Sequence, residues 1–269
     1  MAEPVQHPRE PIFNFPRAMT VAIVVLLAIH ILRLTLPLAV DLEVIYLFGF
    51  VPARYDVPAG LIDGFPGGLA ADLWTFVSYS FLHGDWLHVG INVAWMVAFG
   101  TPVLRRFGTG RFLLLSAVAA VGGALAHLAT HWSSMVPMIG ASAAISGQMG
   151  AAVRFAFQAG GPLGAFGRGE EWRWRIPAAS LTEAFRDVRV VTFVGIWFVV
   201  NIAFGTTSPV PGESAAIAWQ AHIGGFLVGL LLFRLFDPWH GRPPTPTRPT
   251  PYLRPVEPDG ADPRDDGRA

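Results

Sequence analysis

Charged residues punctuate this chain so sparsely that the intervals between them delimit its elements. Residues 18–32 are apolar and the run resumes at 34–40 after Arg33, and further uncharged stretches cover 86–104, 112–153, 190–212 and 214–233. A helix crossing a hydrocarbon core about 30 Å thick needs about 20 apolar residues. The run from Phe112 to Val153 has 42 residues, too many for one crossing and suited to two. Its natural division is His131-Trp132-Ser133-Ser134-Met135-Val136-Pro137, where polar residues and a proline interrupt it. The pattern therefore predicts six spans, at 18–40, 86–104, 112–130, 139–157, 190–207 and 214–236. None carries the polar face of a surface helix in a soluble protein, so the expected fold class is an all-α polytopic membrane protein, a bundle of six transmembrane helices. The first span is long for the apolar region of a secretory signal and is not followed by a small-residue cleavage site, so it is expected to be retained.

Outside the spans the chain changes character. Residues 41–85 form a long connection holding Tyr46, Phe48, Phe50, Phe65, Trp74 and Phe76, which predicts a segment folded at the membrane surface. The connection near 158–189 is glycine-rich and then mixed in charge, with Trp172 and Trp174 among arginines as interfacial anchors. From 237 onward Pro, Arg and Asp dominate, as in Pro243-Pro244-Thr245-Pro246-Thr247, and a disordered tail is expected. The domain reading is an N-terminal cytoplasmic segment 1–17, a membrane core 18–236 and a Pro-rich cytoplasmic tail 237–269. No internal repeat supports a transporter built from two halves.

Composition agrees with this: 52% of residues are hydrophobic and 14% charged, against about a quarter charged in soluble domains. The basic residues are all Arg, and 19 of them balance 19 acids, so nothing points to a nucleic-acid partner. Without cysteine there is neither a thiolate metal site nor a cysteine nucleophile. The placement of the arginines orients the chain. Arg9 and Arg17 precede span one, Arg105, Arg106 and Arg111 fill the connection after span two, six more lie between spans four and five, and six follow span six. The alternate connections hold Arg54 alone among Asp41, Glu43, Asp56, Asp63, Asp72, Asp85 and Glu213. The positive-inside rule then puts both termini in the cytoplasm of a cell membrane, most simply a bacterial inner membrane.

Polar side chains inside a bilayer are costly, so each is a candidate for function, with helix–helix hydrogen bonding as the ordinary alternative. They are His83, His88 and Asn92 on span two and its approach, His127 on span three, Ser142 and Ser146 on span four, Asn201 on span five, and Gln220 and His222 on span six. No Asp or Glu lies within a span, which argues against paired-aspartate proteolysis. The spacing of His83 and His88 lacks the His-Glu-x-x-His pattern of a metalloprotease helix. No cofactor and no metal are expected, and serine with histidine remains. Spans two, four and six run in the same direction, and Asn92, Ser142 and His222 lie 13, 12 and 12 residues before Arg105, Arg154 and Arg234. At about 1.5 Å per residue the three share a layer on the order of 10 Å beneath the outer boundary.

The flanking residues add to this. Gly140-Ala141-Ser142-Ala143-Ala144 starts a helix at Ser142, where unpaired N–H groups and the positive dipole end favour a developing oxyanion. Gly225 and Gly229 lie on the face of span six that carries His222, allowing the close helix approach that a Ser–His hydrogen bond requires.

Taken together, Phe81-Leu82-His83-Gly84-Asp85-Trp86-Leu87-His88 with Asn92, Gly140-Ala141-Ser142 continuing to Ser146-Gly147, and Ala221-His222 with Gly225 and Gly229 resemble the rhomboid family of intramembrane serine proteases. The resemblance covers roughly residues 18–236. It implies that Ser142 is the nucleophile and His222 the general base, a dyad without a third carboxylate. It further implies that Asn92 and His88 assist the Ser142 N–H in binding the oxyanion, and that His83, with Trp74, supports the outer segment. The implied substrates are transmembrane segments of single-pass or multi-pass proteins, cut near the outer face, with a small residue before the cut. Several positions depart from the family pattern: Ala143 replaces a frequent Gly, Ser146 stands where some members set a Tyr against the histidine, Thr75 follows Trp74 in place of Arg, and Leu104 replaces an acid. Another group must then orient His222. A loop near 208–217 is expected to cap a water-filled cavity above the dyad. The alternatives are a catalytically inactive rhomboid-like chaperone or adaptor, and a transporter using His83, His88, His127 and His222 as a relay.

The arginine asymmetry leads to the first prediction. Reporter fusions are expected to place residues 105–111, 158–189 and the C-terminus in the cytoplasm and 41–85 outside; an external C-terminus would sink the six-span topology.

Overall fold

A computed structural model describes residues 15–56, 65–158, 161–162, 174–206 and 218–239. The first 14 residues, Trp172, the expected capping loop and the tail from residue 240 lie outside the described residues.

Helix α1 (Arg17–Leu34) starts after Pro16 and stops short of the expected limit at 40. Pro37 lacks an N–H and disfavours the helical conformation at Leu36, so the chain breaks and restarts as α2 (Leu38–Phe48). Arg33 closes α1, and its guanidinium bonds the Asp41 carboxylate at 2.7 and 3.0 Å and the His83 carbonyl at 2.8 Å. The residue that interrupts the apolar run is thus a clamp between α1, α2 and the approach to the next span.

The outer segment is folded, as its aromatic content predicts. After α2 come a 3-10 turn (Pro52–Tyr55), α3 (Gly68–Ser78) and a second 3-10 turn (Tyr79–Phe81). Phe50 packs on Tyr55, Phe76 and Tyr79, with ring centroids 5.0–6.2 Å apart. Buried Arg54 reaches Asp72 at 3.3 Å and the carbonyls of Tyr46 and Pro66. An isolated antiparallel bridge pairs Phe50 with Met138. Asp56 accepts hydrogen bonds from Trp132 Nε1 and Ser133 Oγ, both at 2.6 Å, which hold its carboxyl below the usual carboxylate range. These bonds fasten the outer segment to the chain that leads into span four.

Span two is one continuous helix over Trp86–Phe107, composed of α4 (Trp86–Trp95), a π-helical stretch (Met96–Gly100) and α5 (Thr101–Phe107). The widened stretch directly precedes Pro102, whose ring would collide with the Ala98 carbonyl in a regular α-helix. Asp85 caps the N-terminus, accepting the His88 N–H at 2.8 Å. Helix α6 (Thr109–Thr130) follows Gly108, which has φ +76°. Helices α1, Trp86–Phe107 and α6 are each long and apolar enough to cross a membrane. The remaining helices are α7 (Ser142–Val153), the short α8 (Leu181–Ala184), α9 (Val188–Thr206), α10 (Trp219–Leu231) and α11 (Phe233–Phe236). Large apolar side chains such as Val21 and Val24 on α1 and Ile196 and Val199 on α9 face outward, as lipid contact requires.

Helix α7 is shorter than the expected 139–157. Its 12 residues extend about 18 Å, less than the hydrocarbon thickness. Ala143 through Val153 are all buried, so α7 is the central post of the bundle and has no lipid face to extend.

What surrounds the post is decided by small residues. A Cβ on Gly225 would land on the Ala143 carbonyl, and one on Gly229 on the Gly147 carbonyl, so α10 lies directly on the backbone of α7. Gly224, next to Gly225, faces the other way against the Gly122 carbonyl of α6. A Cβ on Gly123 would stand 2.5 Å from the Ala143 methyl and 2.8 Å from the Ala221 carbonyl, which explains how α6 accommodates alanine at position 143. Such contacts bring Cα–H groups against carbonyl oxygens and maximise dispersion where no hydrophobic force acts between helices.

On the opposite side of the molecule from the outer segment, Arg106 is 2% exposed and binds both oxygens of Asp237 at 2.9 Å, with its other nitrogen on the Trp174 and Ile176 carbonyls. Trp239 Nε1 returns to the Arg106 carbonyl at 3.2 Å. The packed core therefore reaches Trp239, slightly past the expected boundary at 236. Leu104, where the family pattern has an acid, is simply buried in the core; Arg106 finds its acid on the far end of the chain instead.

The glycine contacts lead to the second prediction. Gly225→Leu and Gly229→Leu are each expected to lower stability in detergent by about 1–3 kcal/mol or more, because overpacking against backbone cannot relax. Gly90→Ala, where a Cβ meets nothing within 4 Å, is the control and should leave the melting temperature unchanged or raise it.

Candidate active site

Ser142 opens α7 without a side-chain cap from Ala141. The first intrahelical bond of this helix is Ile145 N–H to the Ala141 carbonyl at 3.0 Å, so the N–H groups of Ser142, Ala143 and Ala144 have no partner within the helix. Its approach is rigid. Gly140 has φ +123° and donates its N–H to the Tyr79 carbonyl at 3.0 Å, while buried Tyr79 donates its hydroxyl to the Ala120 carbonyl at 2.9 Å.

From α10, His222 Nε2 lies 2.7 Å from Ser142 Oγ. The pair is 80 positions apart in the chain and meets because Gly225 and Gly229, one and two turns beyond the histidine, bring the two helices together. Both residues are partly accessible within an otherwise buried neighbourhood. Sequence spacing put these two in one layer, and the helices do join them.

The other expected residues fall around this pair. The Gly140 Cβ position is 2.7 Å from His88 Nε2 and 3.7 Å from Ser142 Oγ, so the missing side chain leaves a small space that both atoms border. His88 Nδ1 receives the Gly84 N–H at 3.4 Å, an arrangement that leaves the proton of a neutral ring on Nε2, facing Gly140. Asn92 is buried on α4, with one Nδ2 hydrogen donated to the His88 carbonyl at 2.9 Å and no partner for the second among the described residues. His83 is 1% exposed; its Nε2 accepts the Ala141 N–H at 3.4 Å and its ring meets His88 edge to face. It thus touches the residue just before Ser142. Trp74 lies farther out, donating to the Leu47 carbonyl at 2.9 Å and stacking on Phe48, so it joins α3 to α2. Thr75 bonds the Ala71 carbonyl and Tyr55. His127 stacks on His131 at the end of α6.

Ser146 does not meet His222: its hydroxyl donates to the Ser142 carbonyl at 2.7 Å. The group that meets the ring is Asn201 of α9, whose Oδ1 contacts His222 Nδ1. Asn201 stood among the polar residues of the spans, but no spacing linked α9 to α10. The small residues Gly122, Gly123 and Gly150 were missed as well, although Gly150 follows Gly147 at a three-residue spacing.

Comparison with known proteins agrees with the motifs. A family model described as the Rhomboid domain matches residues 70–237, more than half of the chain. Rhomboid protease GlpG of Pectobacterium atrosepticum is 28% identical over 165 residues, 61% of this chain and 49% of that protein. The protein of the same name from Yersinia pestis is 31% identical over 88 residues, 33% of this chain and 32% of its own, and that of Serratia proteamaculans is 40% identical over 48, which are 18% and 17%. The matches thus span about half or less of each relative. A multi-pass helical membrane protein with these three motifs in order on α4, α7 and α10, and with this match over residues 70–237, belongs to the rhomboid family.

Proposed function

We propose that the protein is an intramembrane serine endopeptidase that cleaves transmembrane segments near the outer face of a bacterial inner membrane, using Ser142 as nucleophile and His222 as general base and acid. The observation that carries this reading is the 2.7 Å contact between Ser142 Oγ and His222 Nε2 at the start of a buried helix. A serine serving only in packing has no need of a histidine from another helix; a nucleophile does.

His222 Nε2 takes the Ser142 proton as Oγ bonds to the substrate carbonyl carbon and the carbonyl electron pair moves onto oxygen. The oxyanion settles at the N-terminus of α7, where the Ser142 N–H, His88 Nε2–H and the second Asn92 Nδ2–H serve as donors. Collapse expels the amine, which takes the proton from His222 and leaves an ester on Ser142. Water then repeats the sequence, giving its proton to His222, releasing the acid and returning the proton to Ser142. Gly140 makes room for the oxyanion between His88 and Ser142. His83 and Trp74 hold the outer segment and the approach to α7 in place.

A helical substrate keeps its carbonyls bonded within its own backbone, so the favoured substrates are transmembrane segments with Gly, Pro or polar residues that unwind near the outer face. Both termini are read as cytoplasmic, with 18–236 as the membrane core between segment 1–17 and the Pro-rich tail 237–269.

Purified protein is expected to react with a fluorophosphonate serine probe and to cleave a transmembrane reporter. Ser142→Ala should abolish both, and His222→Ala should reduce labelling severely. Asn92→Ala should slow cleavage by up to about 10²–10³, less if His88 and the backbone compensate. Labelling that persists in Ser142→Ala overturns the mechanism; a folded native protein that neither labels nor cleaves is an inactive chaperone or adaptor.

A further inference from the structure

Asn201 has two polar atoms, and the structure commits both. Its Nδ2 donates to the carbonyl of Trp197, one turn earlier on α9, at 2.7 Å. Turning the amide over would set its oxygen against that carbonyl, two acceptors face to face, so Oδ1 must be the atom that meets His222 Nδ1. An amide oxygen only accepts. Nδ1 therefore carries the imidazole proton in the neutral ring, Nε2 is left as a bare acceptor, and in the contact with Ser142 the serine is the donor.

The opposite tautomer would place its proton on Nε2, pointing at Ser142 Oγ, and the serine could not be deprotonated by that ring. In the described site nothing else selects between the two. Ser146 spends its hydroxyl on the Ser142 carbonyl. The face of α9 that delivers Asn201 is registered on α10 by Trp197, whose ring stacks on Phe226 with centroids 4.9 Å apart. Asn201 itself is 8% exposed, so water competes poorly for the bond.

We propose that Asn201 is the positioning residue of this site: it holds His222 in the tautomer and orientation that make Nε2 the base, and it accepts the hydrogen bond from Nδ1–H more strongly when the ring becomes imidazolium during the reaction. The pair formed by Ser142 and His222 thus works as Ser-His-Asn, with the third member supplied by α9. This rests on the reading of Ser142 and His222 given under Proposed function.

The test uses full-length protein in liposomes with ring-¹⁵N histidine, the His222 resonances being assigned by their loss in His222→Gln. At mildly alkaline pH the native spectrum should show His222 protonated at Nδ1 and bare at Nε2. Asn201→Leu, close in size but without polar atoms, should lose this signature and lower kcat by roughly 10- to 100-fold with KM little changed, the range expected for one hydrogen bond to a charged group. Asn201→Asp keeps an acceptor at the same place and should recover at least part of that loss. A native His222 protonated at Nε2 would overturn the proposal without recourse to any variant. So would a folded Asn201→Leu with native kcat, or an Asp variant no better than Leu, since a residue that only packs would give these results. The dyad reading fails separately, through persistent labelling of Ser142→Ala.

Discussion

The whole arrangement depends on how closely α7 and α10 approach. Gly225 and Gly229 rest on the carbonyls of Ala143 and Gly147, and at that separation the first turn of α7 and the first turn of α10 can share a hydrogen bond between short side chains. Serine and histidine together span only a few ångströms, so a helix pair held apart by leucines could not join them. Burial in lipid gives no net gain for apolar contacts between helices, and the bundle gains from dispersion and Cα–H contacts instead. Those contacts strengthen with proximity, and the same glycines that pack the helices bring Ser142 and His222 together.

Around this centre, arginines do what glycines cannot. Arg33, Arg54, Arg106 and Arg154 are each at most 8% exposed, and all four bond main-chain carbonyls of distant segments. A planar cation with five donors can satisfy several carbonyls at once where connecting chain has no regular structure of its own. Arg33 and Arg54 brace the outer segment over the start of α7. Arg106 and Arg154 do the same at the other end, where Asp237, Ala179 and Leu230 are gathered. These arginines thus fix the connecting segments, and helix α7 is held at both ends.

The site draws a member from each of several layers of this frame. Ser142 belongs to the central post, His222 to its nearest neighbour, His88 and Asn92 to α4, and Asn201 to α9, which carries many lipid-facing residues. Several of the site's polar groups bond locally: His88 its own loop, Asn92 its own helix, Ser146 its own turn. At the start of α7 the N–H groups of Ser142, Ala143 and Ala144 are left without a partner inside that helix.

The sequence by itself determined the helical class, the membrane environment, the aromatic outer segment and the shared depth of Ser142 and His222. It could do so because each rests on a local or periodic quantity: the length of an apolar run, the charge between runs, the depth of a residue along a helix of known rise. What it misjudged was local geometry set by neighbours. Span one ended early at Leu34, ahead of Pro37, and span four proved a short buried post because the helices around α7 shield it from lipid. The tertiary structure alone decided that Asn201 meets His222, that Gly224 and Gly225 face different helices, and that Arg106 pairs with Asp237 across 131 positions. Such pairings depend on the rotation of each helix about its own axis. Hydropathy leaves that rotation undetermined when a helix is apolar on every side, and only the packing of one particular set of small residues against another fixes it.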